Sequence, residues 1–105
     1  MKSNLNITLI QSDLFWENVN SNLFNFGKLI SNINGADIIL MPEMFNTAFC
    51  PKSIHLAESM DGETINWMKK IAKTKNCAIA GTLMIKEGEN IFNRLIWISK
   101  NGVIY

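Results

Sequence analysis

The segment that most constrains the fold is Ala36-Asp37-Ile38-Ile39-Leu40-Met41-Pro42-Glu43-Met44-Phe45. Ile38 to Met41 is an unbroken apolar run, the pattern of a strand buried on both faces. Pro42 has no N–H to give to a sheet ladder, so the strand is expected to stop there. Glu43 then stands where the strand opens into a loop, with Met44, Phe45 and Phe49 around it in sequence. Apolar surroundings disfavour the charged form of a carboxylate, which suits proton transfer near neutral pH. The plain alternative is a solvated loop acid beside a strand.

The end of the chain is the second constraint. Ile91 to Ile98 is an apolar run, and Lys100-Asn101-Gly102 follows with the Asn-Gly pair favoured in a tight two-residue hairpin turn. Only Val103, Ile104 and Tyr105 come after it. Three residues lie at the bottom of the usual strand length. The chain therefore reads as the amino-terminal portion of a longer domain, interrupted inside a hairpin.

Between these points the periodicities set the order of elements. Leu5 to Gln11 alternates as a strand. Trp16, Val19, Leu23, Phe26, Ile30 and Ile33 recur in steps of three and four, which marks one face of a helix. Ser12 or Asp13 is placed to cap its start, and Gly35 stands where a helix commonly ends. Asp37 to Met41 is the second strand, and the short connections make a parallel crossover unit. Phe45 to Met60 is irregular. Asp61-Gly62-Glu63-Thr64 opens a second helix that runs to about Lys75, with Ile65, Met68, Ile71 and Ala72 as its buried stripe. Cys77 to Ile85 and Ile91 to Ile98 are two further strands about the turn Glu87-Gly88-Glu89-Asn90. The order βαβαββ makes an α/β layered domain with part of its sheet missing.

A chain of 105 residues holds one domain at most. With 48% hydrophobic and 18% charged residues it is an ordinary globular sequence rather than a disordered one. A net charge of +1 gives no electrostatic case for nucleic acid or an anionic membrane. Lys69, Lys70, Lys73 and Lys75 cluster toward the end of the second helix, where cations complement the dipole. No apolar stretch is long enough to span a bilayer, and residues 1–6 do not form a signal peptide. Cys50 and Cys77 stand alone, which fits a reducing cytoplasm.

Gln11 on the opening strand, the run Ala36 to Phe49, the segment Ala78-Ile79-Ala80-Gly81-Thr82, and Phe92-Asn93-Arg94 before an Asn-Gly turn together resemble the nitrilase superfamily. These are carbon–nitrogen hydrolases with an α-β-β-α sandwich fold. Pro42-Glu43-Met44-Phe45 followed by Phe49 most resembles the omega-amidase branch, which hydrolyses the terminal amide of 2-oxo acids. The resemblance runs through the whole chain in order, and makes residues 1–105 the N-terminal part of a single hydrolase domain.

The resemblance places a catalytic glutamate at Glu43 and implies a Glu-Lys-Cys mechanism. The glutamate takes the proton of a cysteine thiol as the thiolate attacks the amide carbon, and a lysine ammonium stabilises the developing oxyanion. Ammonia leaves, and a glutamate-activated water hydrolyses the thioester. Thiolate is the reactive form and needs a neighbouring base or cation to exist at neutral pH. A fixed positive group aimed at the oxyanion is typically the larger rate term. By the same resemblance the lysine follows a tyrosine after a hairpin like that at Asn101, and Tyr105 is that tyrosine or lies just before it. No lysine follows within the chain. The polypeptide as it stands is expected to be inactive.

Other residues point to structure first. Cys50 is seven residues past Glu43 and Cys77 opens a strand, so both match buried structural thiols better than nucleophiles. His55 could pair with Cys50 as a thiol–base couple, but a surface histidine is the simpler reading. One His and two distant Cys make no zinc pattern, and Gly81 and Gly88 make no phosphate cradle. Trp16, Trp67 and Trp97 fall on core elements. Asn93 and Arg94 open a strand, and by the resemblance the asparagine is mainly structural. No cofactor is expected, because the chemistry is covalent. The partners implied are a small-molecule amide substrate and, in the full-length form, further copies of the chain. Two alternatives stand beside the amidase. One is a non-catalytic α/β module whose sheet is completed by a partner or by self-association. The other is a nitrilase or carbamoylase on the same fold.

Overall fold

The computed structural model describes residues 4–48 and 52–105. Its elements are β1 (Ile7–Leu9), α1 (Val19–Ser31), β2 (Ile38–Leu40), a short 3-10 turn (Ser53–Leu56), α2 (Glu63–Lys75), β3 (Ala78–Glu87) and β4 (Asn90–Ile98). The four strands form one sheet in the order β1-β2-β3-β4. β1 pairs with β2 and β2 with β3 in parallel, and β3 with β4 antiparallel. The α/β class and the βαβαββ order expected from periodicity are both present.

The helices form because their apolar residues repeat at helical spacing and their ends find partners. In α1, Leu23, Phe26 and Ile30 are buried, and the Asn18 side chain caps the start by accepting from Ser21 N–H at 3.0 Å. This corrects two expectations. The helix begins later than Ser12 or Asp13, and Trp16, outside it, is 60% exposed rather than in the core. In α2, Ile65, Met68 and Ala72 face inward and Ile71 is only partly buried. Asn76 ends α2 in the left-handed conformation (φ 53°), its N–H bonding the Ala72 and Lys73 carbonyls.

Both helices lie on one face of the sheet. Phe26, Ile30, Ile65 and Met68 pack with Ile39, Ile79, Leu83, Ile96 and Ile98 into the core. The other face is apolar and open. Strand register puts Ile7 beside Ile38, Leu9 beside Leu40, Leu40 beside Ala80, Ala80 beside Trp97, and Thr82 beside Leu95. On this face Leu9 is 69% exposed and Leu95 63%. Ile38 and Leu40 are half-buried, so the apolar run of β2 is covered on its helix side alone. An uncovered apolar sheet face is uncommon on a self-sufficient domain.

The last hairpin differs from the expected two-residue turn. Gly102 N–H bonds Ser99 O at 2.8 Å and Ser99 N–H bonds Val103 O at 2.9 Å, so three residues form the loop. Gly102 has φ +80° while Asn101 is not in the positive region. A mirror-image turn needs positive φ at both, so the chain adopts the three-residue loop with a left-handed glycine instead. The return strand does begin: Ile104 bridges Ile98, and Tyr105 N–H bonds Trp97 O at 2.9 Å.

Candidate active site

β2 ends at Leu40, and one further ladder bond, Met41 N–H to Ala80 O at 2.8 Å, precedes Pro42. The chain then leaves the sheet, because proline offers no donor. β3 runs on past this point, and Glu58 resumes the pairing beside it: Glu58 N–H bonds Met84 O at 3.0 Å and Lys86 N–H bonds Glu58 O at 2.8 Å. The turn bearing Glu43 sits in the notch left between the end of β2 and Glu58.

Everything around Glu43 in this turn is fixed. Met44, Phe45, Asn46, Thr47 and Ala48 are all buried, and Glu43 alone is exposed. The expected apolar enclosure of the carboxylate is thus absent among the described residues: Met44 and Phe45 turn inward instead of surrounding it. Phe49 and Cys50 lie outside the described residues. Phe45 is fully buried, edge-on to Phe26 at 5.9 Å and 6.1 Å from Trp67. Its ring lies against Gly81, where an added Cβ would stand 2.9 Å from Phe45 Cδ1 and 2.8 Å from Met41 Cβ. Gly81 is therefore where β3 lets the turn approach.

Hydrogen bonds hold the turn from three sides. Met44 has a positive φ of 47°, and its N–H bonds Thr82 Oγ1 at 2.8 Å. Glu17 N–H bonds Thr47 O at 2.9 Å. Asn22, 1% exposed, donates to the Asn46 and Phe15 carbonyls at 2.9 and 2.8 Å and accepts from Phe15 N–H at 2.7 Å. The Asn46 side chain in turn donates to Glu58 Oε2 at 3.2 Å and Thr64 Oγ1 at 3.0 Å. A left-handed non-glycine residue persists only where its surroundings over-determine it, and such strain clusters at functional sites. Sequence reasoning singled out Glu43 and missed Thr82, Asn46 and Asn22, the groups that fix its turn. The one signal for Thr82 was its place in the segment Ala78 to Thr82.

The other candidates fall elsewhere. Cys77 is a free, buried thiol, pushed above its ordinary range by burial, with Lys75 opposing and Asp37 adding to the shift. That is the character of an inert structural thiol. His55 is exposed and lies 3.3 Å from Glu17 Oε2, a surface pair. Arg94 bonds Glu87, holding that exposed carboxyl below the usual carboxylate range, and stacks over Phe92. Among the described residues no group of three or more His, Cys, Asp or Glu side chains could hold a metal ion, and no helix is long and apolar enough to cross a membrane. A groove of about 510 Å³ between α1 and α2 is lined by Leu23, Phe24 and Trp67 and does not include Glu43.

The family match is direct: residues 6–104 match the carbon-nitrogen hydrolase family, and the chain belongs to it. The omega-amidase YafV of Escherichia coli K12 is 31% identical over 101 residues, which cover 96% of this chain and 39% of that protein. The omega-amidase YafV of Yersinia enterocolitica is 30% identical over 104 residues, 97% of this chain and 40% of that protein. The crystal structure of XC1258 from Xanthomonas campestris, a CN-hydrolase superfamily protein with an arsenic adduct in its active site, superimposes with a TM-score of 0.92. It is 31% identical, and the match covers 96% of this chain and 38% of that one. The chain thus spans about two fifths of the length of these relatives.

Proposed function

We propose that residues 1–105 are the amino-terminal part of a single carbon–nitrogen hydrolase domain that cleaves the terminal amide of a small acid, with Glu43 as its general base. The observation that carries this reading is the contrast within one turn: five successive buried residues, Met44 to Ala48, follow a single exposed carboxylate. A base must be accessible to substrate yet fixed in position, and this turn meets both needs. Its place at the carboxyl end of β2 is where open α/β sheets bind ligands.

In this reading Glu43 accepts the thiol proton of a cysteine and later activates the water that releases the acid. A lysine steadies the oxyanion. Both partners lie outside residues 1–105. Cys77 is too buried for the nucleophile's role, and the bare sheet face of Leu9 and Leu95 is covered by the remainder of the domain. The relatives named as omega-amidases favour a 2-oxo acid ω-amide as substrate. A buried free Cys77 suits a reducing cytoplasm.

The test is to read the coding DNA past the Tyr105 codon and assay the complete product for ammonia release. The reading expects a lysine within a few codons, a cysteine after a later apolar strand, and faster turnover of a 2-oxo acid ω-amide than of a nitrile or carbamoyl compound. A stop codon directly after Tyr105 would remove the catalytic reading. Preference for a nitrile would retain the family and overturn the substrate.

A further inference from the structure

We propose that Glu58 is a positioning residue for Glu43, acting through Asn46; the inference rests on the reading of Glu43 as the base. Glu58 is locked to β3 by its own N–H and C=O. Its carboxylate reaches two other elements. Oε1 accepts from Thr64 N–H at 2.7 Å, capping α2 in place of Gly62, which has no side chain to do so. Oε2 accepts from the Thr64 hydroxyl at 2.5 Å and from Asn46 Nδ2 at 3.2 Å. Room for the carboxylate depends on Gly62, where a Cβ would lie 2.6 Å from Oε1.

Capping α2 needs only one of these oxygens. The second is engaged with Asn46, three residues after Glu43 and 1% exposed. Hydrogen bonds to an ionised acceptor are about twice as strong as neutral ones. Asn46 is also held by its carbonyl, through Asn22. The turn is thus tied by backbone to α1 and by side chain to the junction of β3 and α2. Without Glu58, the Asn46 amide keeps Thr64 as its partner but loses the charged anchor. A displacement of about 1 Å at a reacting group costs on the order of a hundredfold in rate.

The test is steady-state kinetics on the complete polypeptide with a 2-oxo acid ω-amide, for Glu58→Ala, Glu58→Gln, Asn46→Ala and the double alanine variant. Glu58→Ala is expected to lower kcat at least about tenfold with KM within about twofold. Glu58→Gln restores part of it: its carbonyl still accepts from Thr64 N–H, and once the Asn46 amide turns over, the new amide donates to Asn46 Oδ1, which has no partner among the described residues. Asn46→Ala leaves the α2 cap intact and decides the matter if Glu58→Ala fails to fold. Action through Asn46 requires the double variant to lose no more than either single one. Unchanged kcat in Asn46→Ala, additive losses, or losses that merely track the unfolded fraction by circular dichroism would overturn the proposal. Glu43→Gln is measured alongside. Full activity there sinks the base assignment itself, a result distinct from any outcome at Glu58.

Discussion

Gly81→Ala tests the packing that presents Glu43. The new Cβ would stand 2.8 Å from Met41 Cβ and 2.9 Å from Cδ1 and Cε1 of Phe45. Carbon atoms rest about 3.5–4.0 Å apart, so relief needs movement of roughly 0.6–1.2 Å. Phe45 has nowhere to swing, being fully buried between Phe26 and Trp67. Met41 is fixed by its ladder bond to Ala80. Overpacking of this kind costs about 1–3 kcal/mol. For a complete domain about two and a half times as long, each kcal/mol lowers Tm by about 2–4 °C, so thermal unfolding of the complete polypeptide by circular dichroism should show a fall of at least about 2 °C. Exchange of the Met44 amide should also accelerate, since its acceptor Thr82 adjoins Gly81. A Tm within about 1 °C of the parent and unaltered exchange would refute the wedge.

Asn22→Leu keeps the size of the side chain but leaves the Phe15 N–H and the Phe15 and Asn46 carbonyls without their partner. Of these the Asn46 carbonyl is the buried one, and orphaning it costs about 1–3 kcal/mol, so urea unfolding should register a loss of at least about 1 kcal/mol; a neutral result would mean water replaces the amide. Cys77, raised above its ordinary 9.0 by burial, favours the folded state while protonated. Its contribution is complete below pH 9.0 and is lost as pH rises through the folded value. Urea midpoints of the parent should therefore drop more steeply above that pH than those of Cys77→Ala, and parallel curves would contradict the burial argument.

The parts of this chain legible in its sequence are those set by periodicity. The apolar steps of Leu23, Phe26 and Ile30, and of Ile65, Met68 and Ala72, gave both helices because one face of each meets the sheet. Pro42 marked the end of β2 and so located Glu43. What sequence reasoning could not supply depends on contacts distant along the chain. Trp16 continues the helical spacing of α1 yet lies outside it, because Asn18 caps the helix and ends the pattern there. Asn101-Gly102 carries the signal of one turn and adopts another, since the Ser99 carbonyl and N–H set a wider loop. The neighbours of Glu43 in sequence suggested an apolar niche, but among the described residues Met44 and Phe45 are drawn into the core and do not enclose it. Asn46 and Glu58 were silent because a polar residue on a loop reveals its partner only once the fold brings the two together, and Thr82 was marked only by its place in the segment Ala78 to Thr82.

That Glu43 serves chemistry and not stability can be tested in one comparison. Ammonia release from a 2-oxo acid ω-amide is measured for the complete polypeptide and its Glu43→Gln variant, together with Tm. Turnover is expected to fall by a factor of about 10²–10⁴, the usual worth of a positioned acid–base group. Tm should stay within about 1–2 °C of the parent, since an exposed side chain with no hydrogen-bond or ion-pair partner among the described residues contributes little to stability. Turnover preserved in Glu43→Gln, or lost only together with the fold, would contradict it.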